Sequence, residues 1–161
     1  MKVRNPAWIG YGLAVVIIVV DQLAKSWVLN DLQLGDGRSV PVFGPLHFSL
    51  VRNQGVSFGL FQGSDLGRWI LTGFSLAVSI GLAIWALRLD KVLTGLAVGL
   101  IMGGALGNVI DRVRYGSVVD FVDVTRTHVF PWVFNVADSA ITVGVILLLA
   151  ESILVPRKAA T

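Results

Sequence analysis

The sequence predicts an all-α membrane protein: a four-transmembrane-helix bundle carrying a small extracytoplasmic β-sheet, or cradle, with both termini in the cytoplasm. Three observations lead there. Of 161 residues, 55% are hydrophobic and 14% charged, with a mean hydropathy of +0.77; soluble domains carry about 25% charged residues. Four stretches approach the ~20 residues an α-helix needs to cross the hydrocarbon core. The basic residues then sort to one side of that pattern. The length suits one integral membrane domain covering residues 1–161.

The elements follow in order. The first helix covers about 7–29, interrupted late by Asp21 and Lys25. Its short basic start resembles a signal peptide, but it lacks a small-residue cleavage site and runs on through Asp21-Gln22-Leu23-Ala24-Lys25, so it reads as an uncleaved anchor. Between about 30 and 68, Leu46, Phe48 and Leu50 alternate with His47, Ser49 and Val51, the period of a strand. Asn53-Gln54-Gly55 reads as a turn and Val56 to Phe61 as a second strand. The second helix covers about 69–87 and the third about 92–113; neither carries a charge between Trp69 and Leu87 or between Val92 and Ile110. In the third, Gly95, Gly99, Gly103 and Gly107 recur every fourth residue with Gly104 alongside. Such a stripe lets backbones approach closely in lipid, within one chain or between chains. Val118 to Asp123 is a short extended run that carries Asp120 back toward Asp138. The fourth helix covers about 133–155, with Asp138 near its start; Glu151, near its end, is expected to pair with Arg157 or Lys158.

Orientation comes from charge. Lys2 and Arg4 precede the first helix, Arg88 and Lys91 separate the second from the third, and Arg157 and Lys158 follow the fourth. The opposite loops mix acids and bases, which places the basic set and both termini inside. Trp8, Trp27, Trp69, Trp85 and Trp132 fall at helix ends or in an outer loop, as interfacial anchors do. This distribution explains the net charge of +3 and the pI near 9.7 without nucleic acid, because the cations form no stripe. The absence of cysteine excludes disulfides, thiolate metal sites, a cysteine nucleophile and lipidation of the chain itself.

Ionisable groups near a bilayer core are functional candidates by default. The first helix travels outward, so Asp21 and Lys25 lie on one face near its outer end, with Asp21 about eight residues, or ~12 Å, below it. The third presents Asn108, Asp111 and Arg112 at its outer end. The fourth begins with Asn135 and Asp138. Three helices thus deliver polar groups to the same outer-leaflet depth. Gly55-Val56-Ser57-Phe58-Gly59 matches a nucleophile elbow, but it falls in an expected hairpin and no triad surrounds His47 or His128. Two separated histidines do not make a zinc site, and no phosphate-binding loop is present. Asp120 and Asp138 lie eighteen positions apart, and a loop can bring them face to face. Two carboxylates in a low-dielectric cleft share a proton, which suits general acid–base attack on a peptide by water. Capping or salt-bridging to Arg112 or Lys25 explains the same aspartates without catalysis, and a bridging loop role suits Asp123. Residue patterning alone leaves an aspartic dyad, an acid-lined transport path and a non-catalytic scaffold open.

Five strings resemble one family. They are Asp21 to Lys25, Arg52 to Gly59, Gly103 to Arg112, Val118 to Asp123, and Phe134 to Ser139. In order and spacing they are similar to the motif blocks of the lipoprotein signal peptidases, signal peptidase II, over nearly the whole chain. The resemblance implies an aspartic endopeptidase of the bacterial cytoplasmic (inner) membrane, with its active site near the outer leaflet. Its substrate would be a diacylglyceryl-modified prolipoprotein, cut before the lipidated cysteine. It implies Asp120 and Asp138 as catalytic, with Asn53, Asn108, Arg112 and Asn135 binding substrate. Asp21, Lys25, Asp111 and Asp123 would support the site. It implies no metal and no organic cofactor, a cradle between Asn30 and Arg68 that clamps substrate, and a cleft that takes a globomycin-type inhibitor.

Overall fold

The first helix starts where the sequence can cap it. Asn5 Oδ1 accepts the Ala7 N–H at 3.0 Å and Pro6 follows at the first helical position, where its missing N–H is no loss; α1 then runs Pro6–Asn30. This computed structural model describes residues 5–35, 38–55, 65–127 and 129–154. Among them, three further helices follow, α2 (Asp65–Ala86), α3 (Val92–Tyr115) and α4 (Val136–Leu154), and all four are long and apolar enough to cross a membrane. Four strands complete the order: β1 (Ser39–Phe43) and β2 (Leu46–Asn53) after α1, then β3 (Val118–Asp123) and β4 (Val133–Phe134) between α3 and α4.

The centre of the bundle is α3, and glycine is the reason. Lipid offers no hydrophobic drive for helix association, so close backbone contact must supply it. A Cβ on Gly95 would lie 2.6 Å from the Pro6 carbonyl oxygen, and one on Gly103 would lie 2.8 Å from that of Ala14. Gly99 meets Gly10 of α1 in the same way. Gly104 turns to the other side and meets Ala137 of α4. The stripe therefore packs α3 within this chain, between α1 and α4. Ala7, Ala14, Ala86, Val98 and Met102 form a buried apolar cluster among α1, α2 and α3. Valines and leucines on the outer faces of α1, α2 and α4 remain exposed, as lipid-facing residues should be.

The sheet is antiparallel in the order β1-β2-β3-β4. Gly44 turns β1 into β2 at a φ of 53°, a left-handed value that glycine adopts without strain. The hairpin therefore precedes β2. The second strand expected at Val56 to Phe61 lies outside the described residues, as do Phe58 and His128. Val28, Leu34 and Phe121 form a buried cluster under the sheet, and Trp27 meets Phe48 edge-on at 5.7 Å, fixing the cradle to the end of α1. Gly116, at a φ of 74°, closes α3 and reverses the chain into β3. Val133 and Phe134 pair with β3, so α4 begins at Val136 and not at the expected Val133. At the opposite end of the bundle, Glu151 pairs with Lys91 at 3.0 Å and accepts from Thr94 Oγ1 at 2.5 Å. The partners expected from the sequence, Arg157 and Lys158, lie outside the described residues.

Candidate active site

A buried ion cluster underlies the site. Asp21 and Lys25 are one turn apart on α1, and both are fully buried. Lys25 Nζ lies 2.8 Å from Asp21 Oδ2 and 2.7 Å from Asp111 Oδ2. It also donates to Asn108 Oδ1 at 3.2 Å. A buried ion left without a partner costs several kcal/mol, yet each carboxylate here also receives N–H donors. Asp21 Oδ1 accepts from the Ala137 backbone at 3.0 Å, and Asp111 Oδ2 from the Val119 backbone at 3.0 Å. Val119 adjoins Asp120 and Ala137 adjoins Asp138. One cation on α1 thereby holds the chain on either side of the cluster.

Asparagines then orient the two carboxylates above it. Asn135 caps α4: its Oδ1 accepts the Asp138 N–H at 2.9 Å, while Asp138 Oδ2 accepts the Asn135 N–H at 3.3 Å. This reciprocal pair is a capping box built with aspartate. Asn135 Nδ2 also donates to Asp120 Oδ1 at 2.6 Å. Asn53 Nδ2, at the end of β2, donates to Asp120 Oδ2 at 3.0 Å. Asn108 Nδ2 donates to Asp138 Oδ1 at 2.8 Å, its own oxygen being held by Lys25. Each carboxylate is therefore fixed by two donors, and Asn135 ties one to the other.

Electrostatics follow from that placement. Burial, and then the like charge of Asp138, push the Asp120 carboxyl up to about 7, against the hydrogen bonds from Asn53 and Asn135 and the field of Lys25. Asp123 behaves differently. Burial raises it, but hydrogen bonds from Thr125 and Ser49 outweigh that and hold it below its ordinary value.

Asp120 and Asp138 open onto a cavity of about 1030 Å³, which Asn53 and Arg112 also line. Its remaining walls are largely apolar, formed by Val51, the 130–134 segment, Ile141 and Val143. The described residues include no group of three His, Cys, Asp or Glu arranged to hold a metal ion. Two carboxylates of unequal environment at one cleft can share a proton and act as acid and base together.

Of the residues the sequence singled out, Asn53, Asn108, Arg112, Asp120, Asn135 and Asp138 converge, with Asp21, Lys25 and Asp111 beneath them. Asp123 stays apart: it binds Ser49 Oγ at 2.7 Å and Thr125, bracing the sheet and the turn after it. His47 Nδ1 sits 3.2 Å from the Pro45 carbonyl, and no serine hydroxyl is bonded to its ring among the described residues. Gln22 was missed. Its Nε2 donates to Asp111 Oδ1 at 2.8 Å and contacts Asp21 Oδ2 and the Gly107 carbonyl. Its position beside Asp21 was the available signal. The aromatic wall at 130–134 was also missed, although Phe130, Trp132 and Phe134 alternate immediately before Asn135.

Comparison with known proteins gives the family and the fold. The pattern of the family described as signal peptidase (SPase) II matches residues 13–154. A lipoprotein signal peptidase of Caulobacter vibrioides is 52% identical over 155 residues, covering 96% of this chain and 92% of its own. One from Methylorubrum extorquens is 46% identical over 142 residues, covering 84% and 80%. Two solved structures of bacterial membrane enzymes superpose with TM-scores of 0.77 and 0.75 at 29% and 31% identity. They cover 94% and 89% of this chain, and 94% and 92% of their own. This chain belongs to the signal peptidase II family.

Proposed function

We propose that Asp120 and Asp138 are the catalytic dyad of an intramembrane aspartic endopeptidase. As a member of the family the protein is a peptidase that removes signal peptides from lipoprotein precursors. The observation that carries the assignment is the shared cavity, where both carboxylates are held by asparagine amides and linked through Asn135. Asp120, its carboxyl pushed up by burial and by the like charge beside it, keeps the shared proton and donates it to the scissile carbonyl oxygen. Asp138 takes a proton from water, whose oxygen attacks the carbonyl carbon. Collapse of the tetrahedral adduct breaks the C–N bond: the proton held by Asp138 passes to the amine of the lipidated cysteine, and one hydroxyl of the adduct returns its proton to Asp120 as the carboxyl product forms. Asn53 and Arg112 are the polar groups that face substrate from the cavity wall, whereas Asn108 and Asn135, expected from the sequence to bind substrate, are buried and hold the two carboxylates instead. Asp21, Lys25 and Asp111 hold them in place.

The reading extends to substrate and location. The precursor carries a diacylglyceryl group on the cysteine after the scissile bond, and the apolar α4 wall at Ile141 and Val143 gives its acyl chains a surface. Binding energy from that remote group positions the peptide. A globomycin-type inhibitor would fill the same cavity. The protein lies in the bacterial cytoplasmic membrane with both termini inside and the dyad near the outer leaflet.

The test is cleavage of a lipidated precursor by purified wild type, Asp120→Asn and Asp138→Asn, with thermal stability recorded in parallel. Both variants should fold and lose at least ~1000-fold in rate, the scale expected when an essential acid or base is removed. Normal cleavage by either removes that residue from the dyad. Precursor lacking the diacylglyceryl group should not be turned over, and equal turnover would refute the lipid requirement.

A further inference from the structure

β4 is an edge strand. It pairs with β3 on one side only, through Val122↔Phe134 and Asp123↔Val133, and no described strand lies on its other side. Successive residues of an antiparallel strand turn their N–H and C=O to opposite sides. One residue of the Val133–Phe134 pair is thus committed to β3 and the other faces away from it. Such an edge accepts a further extended segment readily. The strand also borders the active-site cavity: Phe130, Trp132, Val133 and Phe134 line it together with Asp120 and Asp138.

Side chains add a second feature. Phe130 and Trp132 immediately precede β4 and form a short ring ladder with its Phe134. Their rings meet edge-on, Phe130 lying 5.0 Å from Trp132 and 6.2 Å from Phe134 between centroids. Phe130 and Trp132 stay 46% and 41% exposed, so the ladder is built and still offers area. The segment precedes α4 and lies outside the span, and it runs directly into Asn135, which touches both carboxylates.

We propose that residues 130–134 form the peptide-binding edge of the active site. An extended stretch of precursor beside the scissile bond pairs with β4 as an added strand, and the ring ladder receives apolar side chains at alternate positions. This rests on the peptidase reading above and gives it a binding mode. Main-chain pairing supplies affinity without reading side chains, while alternate pockets supply preference. One enzyme can then accept many precursors.

The experiment measures binding of a fluorescent lipidated precursor peptide to Asp120→Asn in lipid nanodiscs. The peptide is N-methylated at one backbone position at a time on both sides of the scissile bond. Affinity should fall about tenfold, the scale of one lost hydrogen bond, at a single position or at positions two apart, with intervening positions tolerant. Trp132→Ala should weaken binding about as much, and Trp132→Phe should restore most of it. Peptides that all bind equally, or that weaken uniformly, would overturn the added strand. Cleavage of the unmodified peptide by wild type is read alongside. If wild type cleaves while methylation has no positional effect, only this inference fails; if wild type does not cleave, the peptidase reading falls with it.

Discussion

Asp120 and Asp138 receive similar donors, yet their surroundings differ, and pH separates their roles. The Asp120 carboxyl is pushed up to about 7 by burial and by Asp138. It holds its proton below that value and loses it above. A dyad that needs one proton therefore slows as pH rises through about 7, and the apparent value belongs to the pair. A plot of kcat/KM against pH should show a descending limb centred near 7; a flat profile there would exclude Asp120 as the proton donor. Lys25 is the other decisive residue. It is the cation bonded to both Asp21 and Asp111, so Lys25→Met leaves two buried carboxylates uncompensated. The expected loss is about 3–5 kcal/mol in unfolding free energy, read from denaturant titration in detergent. Adding Asp111→Asn should recover part of it, and an unchanged midpoint in Lys25→Met would show that the cluster carries no stability.

Helix α3 organises the other elements. Its glycines let α1 and α4 approach until backbone meets backbone, and that approach brings Asp21 and Ala137 to the same depth as Asn108 and Asp111. A methyl group at Gly99 would fall on the Gly10 backbone, so Gly99→Ala should destabilise by about 1–3 kcal/mol as overpacking does. Gly12 has open space around an added Cβ. Gly12→Ala should be neutral or stabilising by up to about 1 kcal/mol, which makes it the matched control. Equal midpoints for the two variants would contradict glycine-mediated packing of α1 on α3. The sheet was less legible than the helices. β1 carries Pro41, which removes a ladder donor and is tolerated because β1 is an edge strand; its five residues therefore did not read as a strand. The turn at Gly44 was missed with it, and the strand expected at Val56 to Phe61 lies outside the described residues.

For the whole molecule the claim to test is sidedness. The proposed topology, read from the basic residues, puts the α2–α3 connection inside and the cradle outside. Because the chain has no cysteine, single introduced cysteines report this cleanly. Arg38→Cys, on the exposed start of the cradle, should react with an impermeant maleimide in intact cells. Asp90→Cys, exposed between α2 and α3, should react only after permeabilisation. The reverse pattern would invert the topology and move the dyad to the inner leaflet.

The sequence by itself determined the spans and the acids that border them. Transfer to lipid depends on local composition, and an aspartate beside an apolar run of membrane length is visible without knowing its neighbours. The motif strings also carried the family. Tertiary structure alone decided the partnerships. Lys25 reaches Asn108 across 83 positions, and Asp21 reaches the Ala137 backbone across 116. No local pattern encodes which buried carboxylate meets which donor at that separation. The same holds for Asp123, which shares a strand with Asp120 yet turns to Ser49 and Thr125, and for Gln22, whose acceptors come mainly from another helix. Close packing of α1, α3 and α4 fixes these contacts, because a buried polar group must find its partner among the residues that packing brings within about 3 Å.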